Sequence, residues 1–144
     1  MRAIVTGANG FIGSNLINKL IENNIEVTAI DFSFNPSKLK EDKLINKLEI
    51  SIDKLTLDML DGEYDLFFHF AWKGVNGSDK GNINIQLQNI MMTIYCADIA
   101  KKVNCKKFLC SGTIAERNIE SLPHLNKTGA GMFYGASKYS THIM

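Results

Sequence analysis

The residues best suited to acid–base chemistry are Tyr134 and Lys138, which begin and end the segment Tyr-Gly-Ala-Ser-Lys. On a helix, residues at i and i+4 share one face, so the phenol and the ammonium can approach each other. A tyrosine with its ordinary pKa near 10 needs roughly 4 kcal/mol of preferential stabilisation of the phenolate to act as a base near neutral pH. One cation about 4 Å away supplies on the order of 4 kcal/mol at an effective dielectric constant near 20. The pair therefore predicts a tyrosine base, and the alternative is a solvated lysine beside a packed tyrosine.

Thr113 is a third candidate for the same chemistry. It follows the short apolar segment Lys107–Cys110, which is typical of a strand, and it precedes Tyr134 by one loop. The carboxyl ends of parallel strands open onto the ligand crevice, where a threonine hydroxyl can hydrogen-bond a reacting oxygen. The alternative is a threonine that caps a turn.

Three glycines near the N-terminus form a second pattern. Gly7, Gly10 and Gly13 follow one another at three-residue spacing behind a short apolar run. Gly7 suits a tight turn, Gly10 has no Cβ to hinder a pyrophosphate, and Gly13 allows a helix to pack closely on the strand. The N-terminus of that helix presents unpaired N–H groups and a partial positive charge, which suits a phosphate. The spacing differs from G-x-G-x-x-G, and a glycine turn without a ligand is the alternative.

Asp31 makes a nucleotide the better interpretation of those glycines. It ends the second predicted strand, where a carboxylate can accept hydrogen bonds from the ribose hydroxyls of adenosine. The same charge repels a 2′-phosphate, so the sequence favours NAD over NADP. Lys38 lies nearby in the sequence, and a surface acid in a turn is the alternative for Asp31.

The hydrophobic pattern predicts elements that would position these residues. Strands alternate with helices at βαβ spacing, which indicates a doubly wound parallel sheet, the Rossmann fold, in one α/β domain over residues 1–144. Between Ser33 and Leu60 the pattern does not separate helix from loop. The long helix carries apolar residues on one side, expected to be Ile83, Leu87, Ile90, Met91, Ile94, Ala97 and Ile99. The predicted segments are strands at Arg2–Thr6, Glu26–Asp31, Leu48–Ile52, Asp65–Ala71 and Lys107–Cys110, helices at Phe11–Asn23, Asn82–Val103 and Tyr134–Met144, a charged and helix-compatible Ser37–Lys47, and a polar loop at Glu116–Gly131.

Composition and charge narrow the function classes. The net charge is +1 and the isoelectric point about 7.7, which gives no argument for nucleic acid or a membrane surface as a partner. The sequence predicts neither a transmembrane span nor a signal peptide. Three cysteines without a C-x-x-C spacing indicate reduced thiols in a cytoplasmic protein. No set of metal ligands is predicted.

Together these stretches resemble the extended short-chain dehydrogenase/reductase family, in particular its NAD-dependent nucleotide-sugar epimerases and dehydratases. The resemblance extends over essentially the whole chain. The matching residues are Thr6–Gly13, Asp31, Asp65–Trp72, Asn89 with Thr93, Phe108–Thr113 and Tyr134–Lys138.

The resemblance implies a role for each matching position in holding NAD. The pyrophosphate would lie against the glycine turn, Asp31 would hold the adenosine ribose, and Ala71 would line the cofactor cleft. Asn89 would lie near the nicotinamide, and Lys138 would contact the nicotinamide ribose. The turn residues concerned are Gly7, Asn9, Gly10, Phe11, Ile12 and Gly13.

The resemblance also implies a reaction and its partners. Thr113 would orient a substrate hydroxyl, and Tyr134 would remove its proton while a hydride passes to the nicotinamide. Lys138 would lower the pKa of the tyrosine. The substrate would be a nucleotide-sugar, and a second copy of the chain would pair through the helix at Asn82–Val103 and the helix from Tyr134.

The chain also departs from the family pattern. Arg117-Asn118 stands where relatives commonly carry Tyr-Gly, and Ser51 with Asp53 stands near the usual adenine-binding aspartate. Family members are considerably longer, so we expect a chain truncated after the fifth strand and the start of the Tyr–Lys helix, without the C-terminal substrate lobe. Such a chain would leave the fifth strand at the sheet edge and expose apolar surface on the last helix.

The sequence leaves alternatives for the function and for two residues of the predicted fourth strand and its end. A non-catalytic NAD-binding module and a reductase of a small carbonyl compound are the alternatives to an epimerase or dehydratase. His69 is expected to be a packed strand residue rather than a base. Trp72 faces either the nicotinamide and substrate or the core.

Overall fold

The computed structural model describes residues 1–120 and 130–144 of the 144-residue chain. These residues form two compact units. The sheet unit comprises Met1–Ala71 and Tyr95–Cys110, and the helical unit comprises Trp72–Ile94 and Ser111–Met144.

The sheet unit is built on five parallel strands. In sequence order they are β1 (Arg2–Thr6), β2 (Glu26–Asp31), β3 (Ile45–Glu49), β4 (Leu66–His69) and β5 (Lys107–Cys110). Their order across the sheet is β3-β2-β1-β4-β5, so the direction of strand addition reverses beside β1. Ligands of open α/β sheets bind outside the carboxyl ends of the strands at such a reversal. The predicted doubly wound parallel sheet is confirmed.

Four α-helices accompany the strands among the described residues. Helix α1 (Phe11–Glu22) joins β1 to β2, and α2 (Ile83–Lys102) lies between β4 and β5 in the sequence. A short α3 (Glu116–Glu120) and α4 (Ala130–Ile143) follow β5. Within the described residues, short 3-10 helices occur at Ile52–Lys54, Leu57–Met59 and Gly77–Gly81.

The core of the sheet unit explains why these strands form. β1 and β2 are almost entirely buried, as expected for strands covered on both faces. Helix α1 buries Ile17 and Leu20 against them. The buried Thr28 hydroxyl lies 2.9 Å from the Tyr64 hydroxyl, so the polar group inside the core is hydrogen-bonded. The core cluster consists of Ala3, Val5, Ala8, Ile17, Leu20, Val27, Ala29 and Leu39.

β5 forms the edge of the sheet within the described residues. It pairs with β4, and Phe108 of β5 packs on Phe67 of β4 with ring centroids 5.3 Å apart. Leu109 and Cys110 are exposed. In α4, Phe133 and Ile143 are exposed as well. The expected edge strand and exposed apolar surface are both confirmed.

The limits of β3 differ from the prediction, and the structure decides the segment before it, where the sequence did not separate helix from loop. Residues 37–44 form no helix, and β3 occupies Ile45–Glu49 rather than Leu48–Ile52. Side-chain hydrogen bonds to the backbone explain why this segment is not helical. The Asp42 carboxylate accepts the Leu44 N–H at 2.9 Å, and Asn9 holds the Lys38 N–H at 2.8 Å. Such bonds offer the backbone an alternative to helical pairing.

Other boundaries also differ from the prediction. β4 is shorter than the predicted Asp65–Ala71, and α4 begins four residues before Tyr134. The predicted loop Glu116–Gly131 begins with a helix, α3, and ends inside α4; its residues 121–129 lie outside the described part of the chain.

The predicted apolar side of α2 is exposed along the first half of the helix. Ile83, Leu87 and Met91 are exposed, whereas the buried positions there are polar, namely Gln86, Asn89 and Thr93. In the second half the buried positions become apolar, with Cys96, Ile99, Ala100 and Val103. In the described parts of the chain, we find no helix long and apolar enough to cross a membrane.

Candidate functional site

In the sheet unit, the turn after β1 lies against the backbone that leaves β4. Gly7 has φ +67°, and a Cβ there would stand 2.7 Å from both the Ala71 nitrogen and the Phe70 carbonyl carbon. The Ala71 N–H lies 3.5 Å from the Thr6 hydroxyl oxygen, which accepts from it. Glycine is therefore required at this position by both its dihedral angle and its neighbours. Gly7 and Ala71, predicted separately as cofactor-binding residues, are brought together.

Gly13 and Gly10 have different structural reasons to be glycine. A Cβ at Gly13 would overlap the Gly7 carbonyl oxygen and stand 2.9 Å from the Ala8 Cα. Gly10 is the N-cap of α1, has φ −72°, and its added Cβ would meet the Gly7 carbonyl oxygen at 3.0 Å with no second close neighbour. The packing of the fold thus demands Gly13 far more strongly than Gly10. A bare Gly10 leaves room for a ligand to approach the backbone.

The first turn of α1 provides donors beside Gly10. The N–H groups at the start of an α-helix have no partners within the helix, which here concerns Phe11, Ile12 and Gly13. The Ser14 N–H and hydroxyl both donate to the Gly10 carbonyl oxygen, at 3.0 and 2.7 Å. The Phe11 and Ile12 side chains are exposed. The turn therefore offers backbone donors and a helix dipole to an anion.

Asp31 is joined directly to this turn. Its Oδ2 accepts the Asn9 N–H at 2.8 Å, and its Oδ1 accepts the Phe32 N–H at 2.8 Å. The Asn9 side chain donates to the carbonyl oxygens of Ser33 and Pro36 and so fixes the loop after β2. A carboxylate has about four lone-pair sites, so Asp31 retains capacity for the hydroxyls of a ribose. Turn, helix N-terminus and carboxylate together fit a dinucleotide such as NAD.

In the helical unit, Lys138 is anchored and almost completely buried. It is 4% exposed, and its Nζ donates to the Ser111 carbonyl oxygen at 2.9 Å and to the Ser111 hydroxyl at 3.2 Å. The ammonium also lies 3.7 Å from the centroid of the Trp72 ring. The alternative of a solvated lysine is wrong.

Tyr134 lies one turn before Lys138 on α4 and is half-buried. Its ring meets the Trp72 ring edge-on, with centroids 6.2 Å apart. The Lys80 ammonium lies 5.3 Å from the centroid of the Tyr134 ring. The predicted pair on one helix is therefore accompanied by an indole and a second cation.

Thr113 lies in the turn that precedes α3. Its hydroxyl accepts the Ala115 N–H at 3.3 Å, and its own N–H donates to the Glu116 carboxylate at 2.6 Å. The Thr113 hydroxyl thus caps a turn, which is the alternative stated for it, and the Glu116 carboxylate reaches back to the Thr113 N–H. A hydroxyl that accepts one hydrogen bond still has its proton to donate, so capping and substrate binding are compatible.

Glu116 and Gly135 connect the Thr113 segment to α4. The other Glu116 carboxylate oxygen lies 2.9 Å from the His142 Nδ1, and Glu116 is buried. A Cβ at Gly135 would stand 2.8 Å from the Ala115 carbonyl oxygen, so this glycine permits close packing of α4. Thr113, Tyr134 and Lys138 consequently belong to one compact unit.

Two fully buried amides organise the loop that follows β4. The Asn89 side chain accepts the Lys73 N–H at 2.9 Å and donates to the Lys73 carbonyl oxygen at 2.8 Å. Gln86 accepts the Trp72 indole N–H at 3.0 Å and donates to the carbonyl oxygens of Gly74 and Asp79. Gln86 was missed from the sequence, and the contact of Asn89 with the cofactor stays a prediction.

His69 is packed inside the sheet, as expected. It is 2% exposed, and its Nδ1 lies 2.7 Å from the Thr6 hydroxyl oxygen. Its ring stacks on Phe108, with centroids 6.2 Å apart. Within residues 1–120 and 130–144, no cluster of three or more histidine, cysteine or acidic side chains is arranged to hold a metal ion.

The sheet order, the glycine turn at β1 and the Tyr-x-x-x-Lys helix define the class as a dinucleotide-binding α/β protein. The family follows from sequence comparison, because the model of the NAD dependent epimerase/dehydratase family matches residues 3–144. The chain belongs to that family. The predicted cofactor, NAD, agrees with this family description.

Similar solved structures agree on the fold. They include a UDP-glucuronic acid 4-epimerase from Bacillus cereus in complex with NAD, 22% identical, with a TM-score of 0.76. A UDP-N-acetylglucosamine 4-epimerase from Methanobrevibacter ruminantium M1 is 23% identical, with a TM-score of 0.72. An NAD-dependent NDP-hexosamine 5,6-dehydratase involved in tunicamycin biosynthesis is 21% identical, with a TM-score of 0.71. Each match covers 99% of this chain and between 48% and 50% of the other, so the chain spans about half their length.

The contrast between Gly13 and Gly10 predicts different effects on stability. We expect Gly13→Ala to lower the free energy of unfolding by about 1–3 kcal/mol, because its Cβ overpacks the turn. Gly10→Ala should cost clearly less, since its Cβ has one close neighbour. Denaturant unfolding measures both, with Gly131→Ala as a control in open space. Equal losses for Gly10→Ala and Gly13→Ala would contradict this account of the turn.

Proposed function

We propose that residues 1–144 are the cofactor-binding portion of an NAD-dependent epimerase or dehydratase that acts on a nucleotide-sugar. The observation that carries this proposal is the buried, anchored ammonium of Lys138 on the helix of Tyr134. Burying a lysine is costly unless its charge is compensated, and buried lysines are rare. A position that serves only the fold has no need of such a charge beside a tyrosine.

The substrate class is proposed from the solved structures with the same fold. Two of them are named for 4-epimerisation of UDP-sugars, and one for dehydration of an NDP-hexosamine. A nucleotide-sugar offers a ring hydroxyl that a tyrosine base can deprotonate. Family membership and the nucleotide-sugars named for these structures favour a nucleotide-sugar substrate over a small carbonyl compound.

The chain's own residues have distinct tasks in the proposed reaction. Tyr134, as the phenolate, accepts the proton of the substrate hydroxyl, and Thr113 orients that hydroxyl through the proton of its own hydroxyl. Lys138 stabilises the phenolate by charge. Bound NAD supplies the hydride acceptor. It would be held by the glycine turn, the first turn of α1 and Asp31, with Ala71, Asn89 and Lys138 as further proposed contacts.

The reduced state of the cysteines supports a cytoplasmic location. Cys96, Cys105 and Cys110 are free thiols. Burial raises the pKa of Cys96 to about 12 and that of Cys105 to about 11, so both remain protonated and unreactive at neutral pH. Free cysteines are typical of a reducing compartment.

A homodimer is proposed from the exposed side of α2. Ile83, Leu87, Met91 and Ile94 are all exposed and recur at helical spacing, so they form an apolar stripe. Contiguous exposed apolar surface marks interaction sites in many proteins. A second copy presenting the same stripe would cover it with a symmetric interface.

The cofactor proposal predicts that Gly10 matters for NAD more than for folding. We expect Gly10→Val to weaken NAD binding at least about tenfold, equivalent to 1.4 kcal/mol, because its side chain stands where the pyrophosphate approaches. Isothermal titration calorimetry with NAD tests this, with Gly131→Val as the matched control. Unchanged NAD affinity in a folded Gly10→Val variant would remove the pyrophosphate from this turn.

The catalytic proposal predicts a large effect at Tyr134. In the natural polypeptide that contains these residues, we expect Tyr134→Phe to lower kcat by roughly 100- to 10,000-fold, because a positioned base contributes about that much. Conversion of a set of UDP-sugars to their epimerised or dehydrated products measures it, and Tyr139→Phe on the same helix is the control. Full activity of the Tyr134→Phe variant would exclude Tyr134 as the base. Tight NAD binding without turnover of any UDP-sugar would favour the non-catalytic module.

The dimer proposal predicts that one charge in the apolar stripe dissociates the two copies. We expect the unchanged protein to sediment as a dimer and Leu87→Glu to sediment as a monomer, because an unpaired carboxylate would be buried at the interface. Lys101→Glu, an exposed substitution outside the stripe, should remain dimeric. A monomeric parent protein, or a dimeric Leu87→Glu variant, would rule out this interface.

A further inference from the structure

We infer that Trp72 is a positioning residue for the Tyr134–Lys138 pair. The inference rests on the proposed function, in which these two residues form the base and its cation. The indole of Trp72 contacts both of them, with Lys138 over its face at 3.7 Å and Tyr134 against it edge-on at 6.2 Å. A single side chain thus links the two partners of the proposed acid–base pair.

Helical spacing alone does not align this pair. Positions i and i+4 place Tyr134 and Lys138 on one face, but a lysine has a flexible four-carbon stem and its ammonium can take many positions. Here the ammonium is held from two sides, by the oxygens of Ser111 and by the indole face. A cation over an aromatic face is attracted by the ring quadrupole, and the attraction grows when the pair is shielded from water. Trp72 therefore restricts where the charge of Lys138 resides.

The indole is itself held in place by buried polar groups. Its N–H donates to Gln86, whose own amide donates to the carbonyl oxygens of Gly74 and Asp79. Asn89 fixes the adjacent Lys73 backbone on both its N–H and its carbonyl oxygen. Gln86 and Asn89 are fully buried, so their hydrogen bonds are costly to break. These hydrogen bonds hold the indole in the position at which Lys138 and Tyr134 of α4 contact it.

The phenol ring of Tyr134 also has two neighbours. The Trp72 ring meets it edge-on, and the Lys80 ammonium lies 5.3 Å from its centroid. Edge-to-face aromatic contacts have a preferred geometry, so Trp72 constrains the ring orientation of Tyr134 as well as the charge beside it. Loss of the indole is expected to misalign both groups together.

The contact itself can be tested without any activity. Trp72 is the single tryptophan of the 144-residue sequence, so indole fluorescence reports this position alone. We expect Lys138→Met to change the intensity or maximum of Trp72 emission, because it removes a cation from the ring face. Lys101→Met, an exposed substitution on α2, is the control and should leave the emission unchanged. Identical emission of the Lys138→Met variant and the parent protein would overturn the inference.

The positioning role is tested by kinetics in the natural polypeptide that contains these residues. We expect Trp72→Leu to lower kcat roughly 10- to 100-fold with little change in KM, since a displacement near 1 Å can cost about 100-fold in rate. Trp72→Phe keeps an aromatic face for Lys138 and should retain most of kcat. Thermal unfolding of each variant confirms that the protein compared is folded.

The outcomes separate this inference from the proposed function. If Tyr134→Phe abolishes turnover while a folded Trp72→Leu variant keeps its kcat, the positioning role is wrong and the proposed base stands. Equal losses for Trp72→Phe and Trp72→Leu would also overturn the role, because the aromatic face would then be irrelevant. If Tyr134→Phe retains full activity, the proposed function itself fails, whatever Trp72 does.

Discussion

The candidate cofactor site depends on the contact of backbone with backbone at Gly7. A Cβ there would stand 2.7 Å from the Ala71 nitrogen, and a Cβ at Gly13 would overlap the Gly7 carbonyl oxygen. Because neither Gly7 nor Gly13 has a Cβ, the chain can turn from β1 into α1 in direct contact with the backbone that follows β4. The turn is then joined to β2 by the Asn9–Asp31 hydrogen bond. Backbone donors and one carboxylate thus converge without a long side chain, which suits a ligand with a pyrophosphate and a ribose.

The helical unit depends instead on buried polar side chains. The Lys138 ammonium loses its hydration and recovers interactions from Ser111 and the Trp72 face. The loop that carries Trp72 has backbone groups that apolar side chains could not satisfy, and Gln86 and Asn89 pair with them. This requirement explains why the buried face of the first half of α2 is polar.

Sequence reasoning succeeded where a segment has one dominant constraint. β1, β2 and β5 were predicted at their observed limits, because apolar β-prone runs are bounded by turn residues. It did not separate helix from loop at residues 37–44, where Asp42 and Asn9 bind backbone groups that a helix would use. For the first half of α2 the sequence identified the apolar side but not its environment, and the structure shows that side exposed. Apolar periodicity identifies a stripe, but it does not say whether that stripe faces the core or a partner.

The sequence by itself determined the order of strands and helices, the glycine spacing, the acid that ends β2 and the Tyr–Lys register on a helix. These features depend on local dihedral preferences and short repeats, which neighbouring residues specify. The tertiary structure alone decided that Lys138 is buried against Trp72, that the Thr113 N–H donates to the Glu116 carboxylate, and that the fold requires Gly13 more than Gly10. Such facts depend on contacts between segments distant in sequence, where a few tenths of an ångström decide whether a side chain fits.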